Sequence, residues 1–251
     1  MSKFVEKPNL PESAKALILG EKYAKFLGKP LKNAGIEPIF APDNQSVDYR
    51  LSGHADLSIF HLGGERFLLS AEQKGSALEK TLCDLGAEIS FLSRPLGGAY
   101  PEDARLNACS VGNALFYCKK SAERQIVDFF TSTSARLIEV KQGYTRCSVC
   151  VVNERSIITA DRGIAKAASD AGFDSLLISQ GYVNLDGFEY GFVGGAAFKL
   201  GKNRLAFTGV LDAHPDKALI LTFLHEKGVE PVFLTDLPVF DIGGAIPIIE
   251  N

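Results

Sequence analysis

Cysteine, histidine and aspartate are the residue types that support nucleophilic catalysis without a cofactor. A thiolate attacks, an imidazole moves protons, and a carboxylate orients the ring or holds a cation. The chain offers these types in two short strings. In Gly53-His54-Ala55-Asp56 an imidazole and a carboxylate stand two residues apart, which puts them on one face of an extended strand. In Thr145-Arg146-Cys147-Ser148-Val149 a thiol stands beside a guanidinium that can lower its pKa or bind an anion. Cys109-Ser110-Val111 repeats Cys147-Ser148-Val149, so Cys109 is the alternative nucleophile. Against these readings stand a buried inert thiol, a structural His-Asp pair and a shared preference for small strand residues.

The remaining chemistry-bearing strings are better explained as structure. Asp212-Ala213-His214-Pro215-Asp216 reads as a helix start, with proline in the first turn and acids at the positive end of the dipole. Cys147 and Cys150 match CxxC, but no second Cys or His pair stands at zinc spacing, and Val149, Val151 and Val152 favour a strand over the helix that a redox pair opens. The expectation is therefore no metal and no cofactor. Gln142-Gly143-Tyr144 and Gln180-Gly181-Tyr182 repeat a turn string and, with Tyr100 and Tyr190, offer aromatics for one mouth of the molecule; turn packing is the favoured explanation.

The elements that position these residues recur. Five segments rich in small residues align: His54 to Ile59, Ala108 to Val111, Arg146 to Val149, Gly194 to Ala197 and Gly243 to Ile246. Four of them lead through a turn into a second apolar strand. A helix-period stretch follows each of these hairpins, at about 75–85, 121–130, 162–171 and 215–227, and then a further β-rich segment. Gly86, Gly172 and Gly228 stand where left-handed helix caps belong. The fifth copy is split. Its first strand lies in 241–249 and the rest in 15–40, with Pro30 expected to end or kink the helix early. This predicts an α/β fold of five ββαβ units, a propeller closed by pairing of the N- and C-terminal strands, in one domain spanning 1–251. A doubly wound parallel sheet is the rival, disfavoured because paired strands precede every helix.

With 46% hydrophobic and 23% charged residues the chain can bury a sizeable core. A net charge of -3 gives no footprint for nucleic acid or anionic lipid, which leaves small molecules or proteins as partners. Five cysteines without a scaffold spacing read as free thiols. Neither an apolar leader core nor a run of about 20 apolar residues is present, so the expected location is the cytoplasm and no membrane partner is expected. The sequence does not specify an oligomer.

Five ββαβ units, with Gly53-His54-Ala55-Asp56 and Thr145 to Val149, resemble the pentein superfamily of arginine deiminases, dimethylarginine dimethylaminohydrolases and amidinotransferases. The superfamily also includes a noncatalytic ribosome anti-association factor, and the chain resembles an uncharacterised bacterial branch. The resemblance implies a cysteine-dependent hydrolase or transferase of guanidine-containing small molecules. In it Cys147 attacks the guanidinium carbon, His54 protonates the leaving nitrogen and then deprotonates water, Asp56 binds the guanidinium or orients His54, and Arg146 tunes the thiol or binds a substrate carboxylate. Blade order points instead to Cys109, which lies one unit beyond His54 where Cys147 lies two. The other reading is a noncatalytic pentein that binds a protein, a ribonucleoprotein or a small ligand.

Overall fold

The computed structural model describes residues 2–251. The first sheet combines both ends of the chain: β1 (Lys3–Phe4), β2 (Ala14–Gly20) and β3 (Glu37–Ala41), with helix α1 (Ala24–Asn33) between the last two. The second unit runs β4 (Ile59–Gly63), β5 (Arg66–Leu69), α2 (Ala77–Asp84) and β6 (Glu88–Phe91). The third runs β7 (Cys109–Val111), β8 (Ala114–Tyr117), α3 (Arg124–Ser132) and β9 (Arg136–Glu139). A one-turn helix α4 (Thr145–Ser148) opens the fourth, followed by β10 (Cys150–Asn153), β11 (Ser156–Thr159), α5 (Arg162–Asp170) and β12 (Asp174–Leu177). The fifth is β13 (Ala197–Gly201), β14 (Arg204–Phe207), α6 (Lys217–Glu226) and β15 (Glu230–Phe233), and β16 (Ile246–Glu250) returns to the first sheet.

Each unit has one hydrogen-bond plan. The first two strands pair antiparallel, as Cys150 opposite Ile158, and the strand after the helix pairs parallel, as Ile158 opposite Leu176. β16 takes the first-strand place beside β2, with Ile246 opposite Ile18, and β1 pairs its outer edge. The termini therefore share one sheet of order β1-β16-β2-β3.

Five buried clusters hold the units together, each mixing side chains of two units. Phe60 and Leu68 meet Leu115 in one, and Val111 and Phe116 meet Val149 and Ile157 in the next. A further cluster sets Leu205 and Phe207 of the fifth unit against Cys150 and Ile158, and another sets Phe198 and Ala206 against Leu17 and Leu19 of the first sheet. Each helix but the one-turn α4 lays its apolar stripe into one of these clusters. Leu27 and Leu31 of α1 and Leu78 and Leu82 of α2 are fully buried, worth about 1.5–3 kcal/mol each by area.

Local signals set the helix boundaries. Ser76 and Asp161 accept from the backbone N–H groups of Glu79 and Ile164 at the starts of α2 and α5. Gly35, Gly86, Gly172 and Gly228 take positive φ just beyond four helices, and in the third unit Ser134 does so at φ 58°. Two expectations need correction. Pro30 neither ends nor shortens α1, which continues to Asn33, because the bond forfeited at its ring nitrogen is outweighed by burial of Leu27 and Leu31. The small-residue segments are mostly not strands either. His54 precedes a single 3-10 turn over Ala55–Leu57, Cys147 lies in α4, and β13 and β16 begin only at Ala197 and Ile246. Of the two segments that carry a cysteine, only that of Cys109 has it in a strand.

Candidate active site

The turns that enter the first strands of the units meet at the centre of the molecule. There the backbone runs close enough to exclude side chains. A Cβ on Gly195 would stand 1.9 Å from Asp241 Oδ1, and one on Gly243, already at φ +71°, would stand 2.5 Å from the His54 Cβ. Main-chain bonds lock the turns together. Gly195 N donates to the Cys147 carbonyl at 2.8 Å, and Gly244 N and Ile242 N donate to the Gly195 carbonyl at 2.8 and 3.0 Å. The small residues of the sequence repeat are thus a consequence of close approach.

Cys147 is held from two units. Its Sγ donates to Asp56 Oδ2 at 2.8 Å and accepts from Asn107 Nδ2 at 3.4 Å, while its backbone N–H donates to Asn107 Oδ1 at 3.2 Å. Asp56 and Cys147 are both buried. Burial, followed by the negative charge of Asp56, raises the Cys147 thiol well above its ordinary value, and burial raises Asp56 as well. Both shifts favour the protonated form, that of the thiol most of all.

His54 and Asp241 complete the group. One ligand-type atom each from His54, Cys147 and Asp241 lies within 4.8 Å of the others, a spacing at which the three could also hold a metal ion. Asp241 is fixed by the N–H of Gly243 on Oδ1 and of Phe192 on Oδ2, both at 2.8 Å. His54 Nε2 and Asp56 Oδ1 are buried and without a hydrogen-bond partner among the described residues. Unpaired buried polar atoms are rare, and here two flank one thiol. Above them opens a cavity of about 290 Å³, lined by His54, Cys147 and Asp241, by Tyr144, Phe188, Tyr190 and Phe192, and by Leu51, Leu57, Leu185 and Glu189.

The sequence strings therefore arrive at different places. His54, Asp56 and Cys147 come together, but across two turns; His54 and Asp56 do not share a strand face. The Arg146 guanidinium is taken up by the carbonyls of Gly194 at 2.9 Å and Ala245 at 3.3 Å, so it braces the backbone. Cys109 is buried with Val111, Phe116 and Val149, its thiol pushed up to about 12 by burial. Its ladder partner Phe116 pairs with Ile138, as Ile158 opposite Cys150 pairs with Leu176; Cys109 is thus the counterpart of Cys150, and the Cys-Ser-Val match is not a structural equivalence. Asp241 and Asn107 carry no string of their own. The one available signal was an acid directly preceding a small-residue segment, Asp241-Ile242-Gly243-Gly244. Tyr144 and Tyr190 do reach the cavity, and Tyr144 is anchored by donation to Asp103 Oδ2 at 2.7 Å, whereas Tyr182 packs near His214 instead.

A family model described as a family of unknown function (DUF6873) matches residues 18–246. The chain belongs to that family. No curated protein matches it. Among solved structures, this DUF6873 member is similar to the inosamine-phosphate amidinotransferase of Streptomyces griseus, at 9% identity and TM-score 0.58, over 98% of this chain and 97% of that one. It is also similar to a DDAH mutant from Pseudomonas aeruginosa complexed with citrulline, at 11% identity and TM-score 0.54, over 88% and 93%. The agmatine deiminase of C. jejuni matches at 10% identity and TM-score 0.54, over 94% and 90%. At such identities the likeness is one of fold, and the fold is the pentein fold.

Proposed function

We propose that the protein is a cysteine-dependent hydrolase or transferase of a guanidine-containing small molecule, with Cys147 as nucleophile and His54 as acid and base. The observation that carries this reading is the Cys147 thiol bonded to Asp56 beneath a cavity, with His54 and Asp241 within 4.8 Å. A guanidinium carbon is a poor electrophile, so its attack needs a thiolate, a proton donor for the leaving amine and carboxylates to hold the cation. Asp56 and Asp241 supply the carboxylates. A bound cation offsets the negative field that raises the thiol, so the site generates its thiolate when the substrate is in place.

In the first half, Sγ bonds to the guanidinium carbon and the thiol proton passes through Asp56 or His54. The carbon–nitrogen bond to the leaving amine then breaks as His54 delivers a proton to that nitrogen. In the second half, water, or an acceptor amine in a transferase, adds to the carbon while His54 takes its proton, and the carbon–sulfur bond breaks to return the thiol. Enclosure of Cys109 in the core supports Cys147 over it. The burial that raises the thiol favours one other reading, a module that holds a small cation without turnover. Mass spectrometry of protein mixed with a guanidine substrate tests the proposal: an adduct on Cys147, lost in Cys147→Ala, is expected. Tight binding without any adduct would sink catalysis and leave the binding module.

A further inference from the structure

The walls of the cavity say what the far end of the bound molecule can be. Its polar side chains are His54, Cys147, Asp241, Glu189 and two tyrosines, and among the described residues none that lines it is lysine or arginine. Arg146, the residue expected to receive a substrate carboxylate, is spent on two carbonyls. The adjoining cavity of about 590 Å³ shares Leu185, Phe188, Glu189 and Asp241 with the first and does include two cations, Lys22, whose ammonium donates to the Arg50 carbonyl at 3.2 Å, and Arg50. That guanidinium is also occupied: Nε and one terminal nitrogen donate to Asp48, the other donates to the Gly187 carbonyl at 2.9 Å, and its Cζ lies 4.1 Å from the Phe188 ring centroid. Glu189 stands where the two cavities meet, exposed, and makes no ion pair among the described residues.

A carboxylate entering the inner cavity would lose water and face Asp241 and Glu189 with no lysine or arginine in its lining to compensate, a costly arrangement. We infer that the site takes a guanidine bearing no carboxylate, and that Glu189 at its mouth rejects the carboxylated form. Specificity of this kind rests on a repulsive element as much as on an attractive one. The inference builds on the proposed function and names the substrate class for the same cavity.

Calorimetric titration of the Cys147→Ser protein with butylguanidine and with guanidinobutanoate, which differ only in the terminal carboxylate, decides it. Butylguanidine should bind at least about tenfold more tightly, and Glu189→Lys, which places a cation where the carboxylate would arrive, should narrow that ratio at least about fivefold. Equal affinity, or tighter binding of guanidinobutanoate, overturns the inference while leaving a guanidine site in place. An unchanged ratio in Glu189→Lys overturns the role of Glu189. Affinity for neither compound overturns the inference and the proposed function together.

Discussion

The Cys147 thiol and the Asp56 carboxylate, 91 residues apart in the chain, meet at 2.8 Å in the buried centre of the fold. A sulfur beside a carboxylate is held protonated, and the first prediction follows from that. Asp56→Asn removes the negative charge, so the thiol should titrate at lower pH even as cation binding weakens. The pH profile of alkylation by iodoacetamide reads the first effect. A midpoint that stays put or rises in the variant would contradict the role given to Asp56. Turnover of a guanidine substrate should fall by about two to four orders of magnitude, the range for loss of a proton-handling group.

Asp241 is a buried acceptor for two backbone N–H groups, and an amide cannot replace it fully. Asp241→Asn turns one accepting oxygen into a donor facing Gly243 N or Phe192 N, and should cost about 1–3 kcal/mol in denaturant unfolding. A variant of unchanged stability would show that these bonds are not made.

Two glycines should respond in opposite directions. Gly195→Ala drives a methyl into Asp241, so it should destabilise by about 1–3 kcal/mol and abolish turnover. Gly28→Ala lies inside α1 with its nearest atom 3.5 Å away, and should stabilise by about 0.5–1 kcal/mol. Thermal unfolding of both variants checks the pair, and a silent Gly195→Ala would refute the close approach at the centre.

How much of this was legible beforehand differs between fold and site. The helices and the strands after them could be read to within a few residues, because each follows from local rules, apolar period and Gly86 and Gly172 at positive φ; the N-terminal caps Ser76 and Asp161 emerge only in the structure. Pairing of the two ends could be read because the terminal segments are complementary halves of one unit. The entry turns were misread as strands, since glycine, alanine and serine suit a strand and a tight turn alike and only the crowding at the centre selects the turn. Asp241 and Asn107 were invisible for a related reason: their roles depend on partners in other units, Phe192 for one and Cys147 for the other.

His61 yields a test of burial independent of the site. Its ring stacks on Phe67 at 4.5 Å, Nε2 faces the Gly64 carbonyl at 2.8 Å, and burial depresses its pKa to about 4. Because the folded pKa lies below the unfolded value near 6.5, the unfolded chain binds the proton first as pH falls. Stability contributed by neutral His61 is complete above about pH 6.5 and declines toward pH 4. Melting temperatures across that window should fall less steeply in His61→Gln than in the parent, and equal slopes would refute the assignment.

The central claim, that Cys147 and not Cys109 is the working thiol, is tested most directly by labelling with chloroacetamidine, a cationic mimic of the guanidine group, followed by peptide mapping. At neutral pH Cys147 should be modified at least about tenfold faster than Cys109, Cys118 and Cys150, with the advantage lost in His54→Ala and Asp241→Ala. Uniformly slow labelling of all the buried thiols, or faster modification of Cys109, would contradict it.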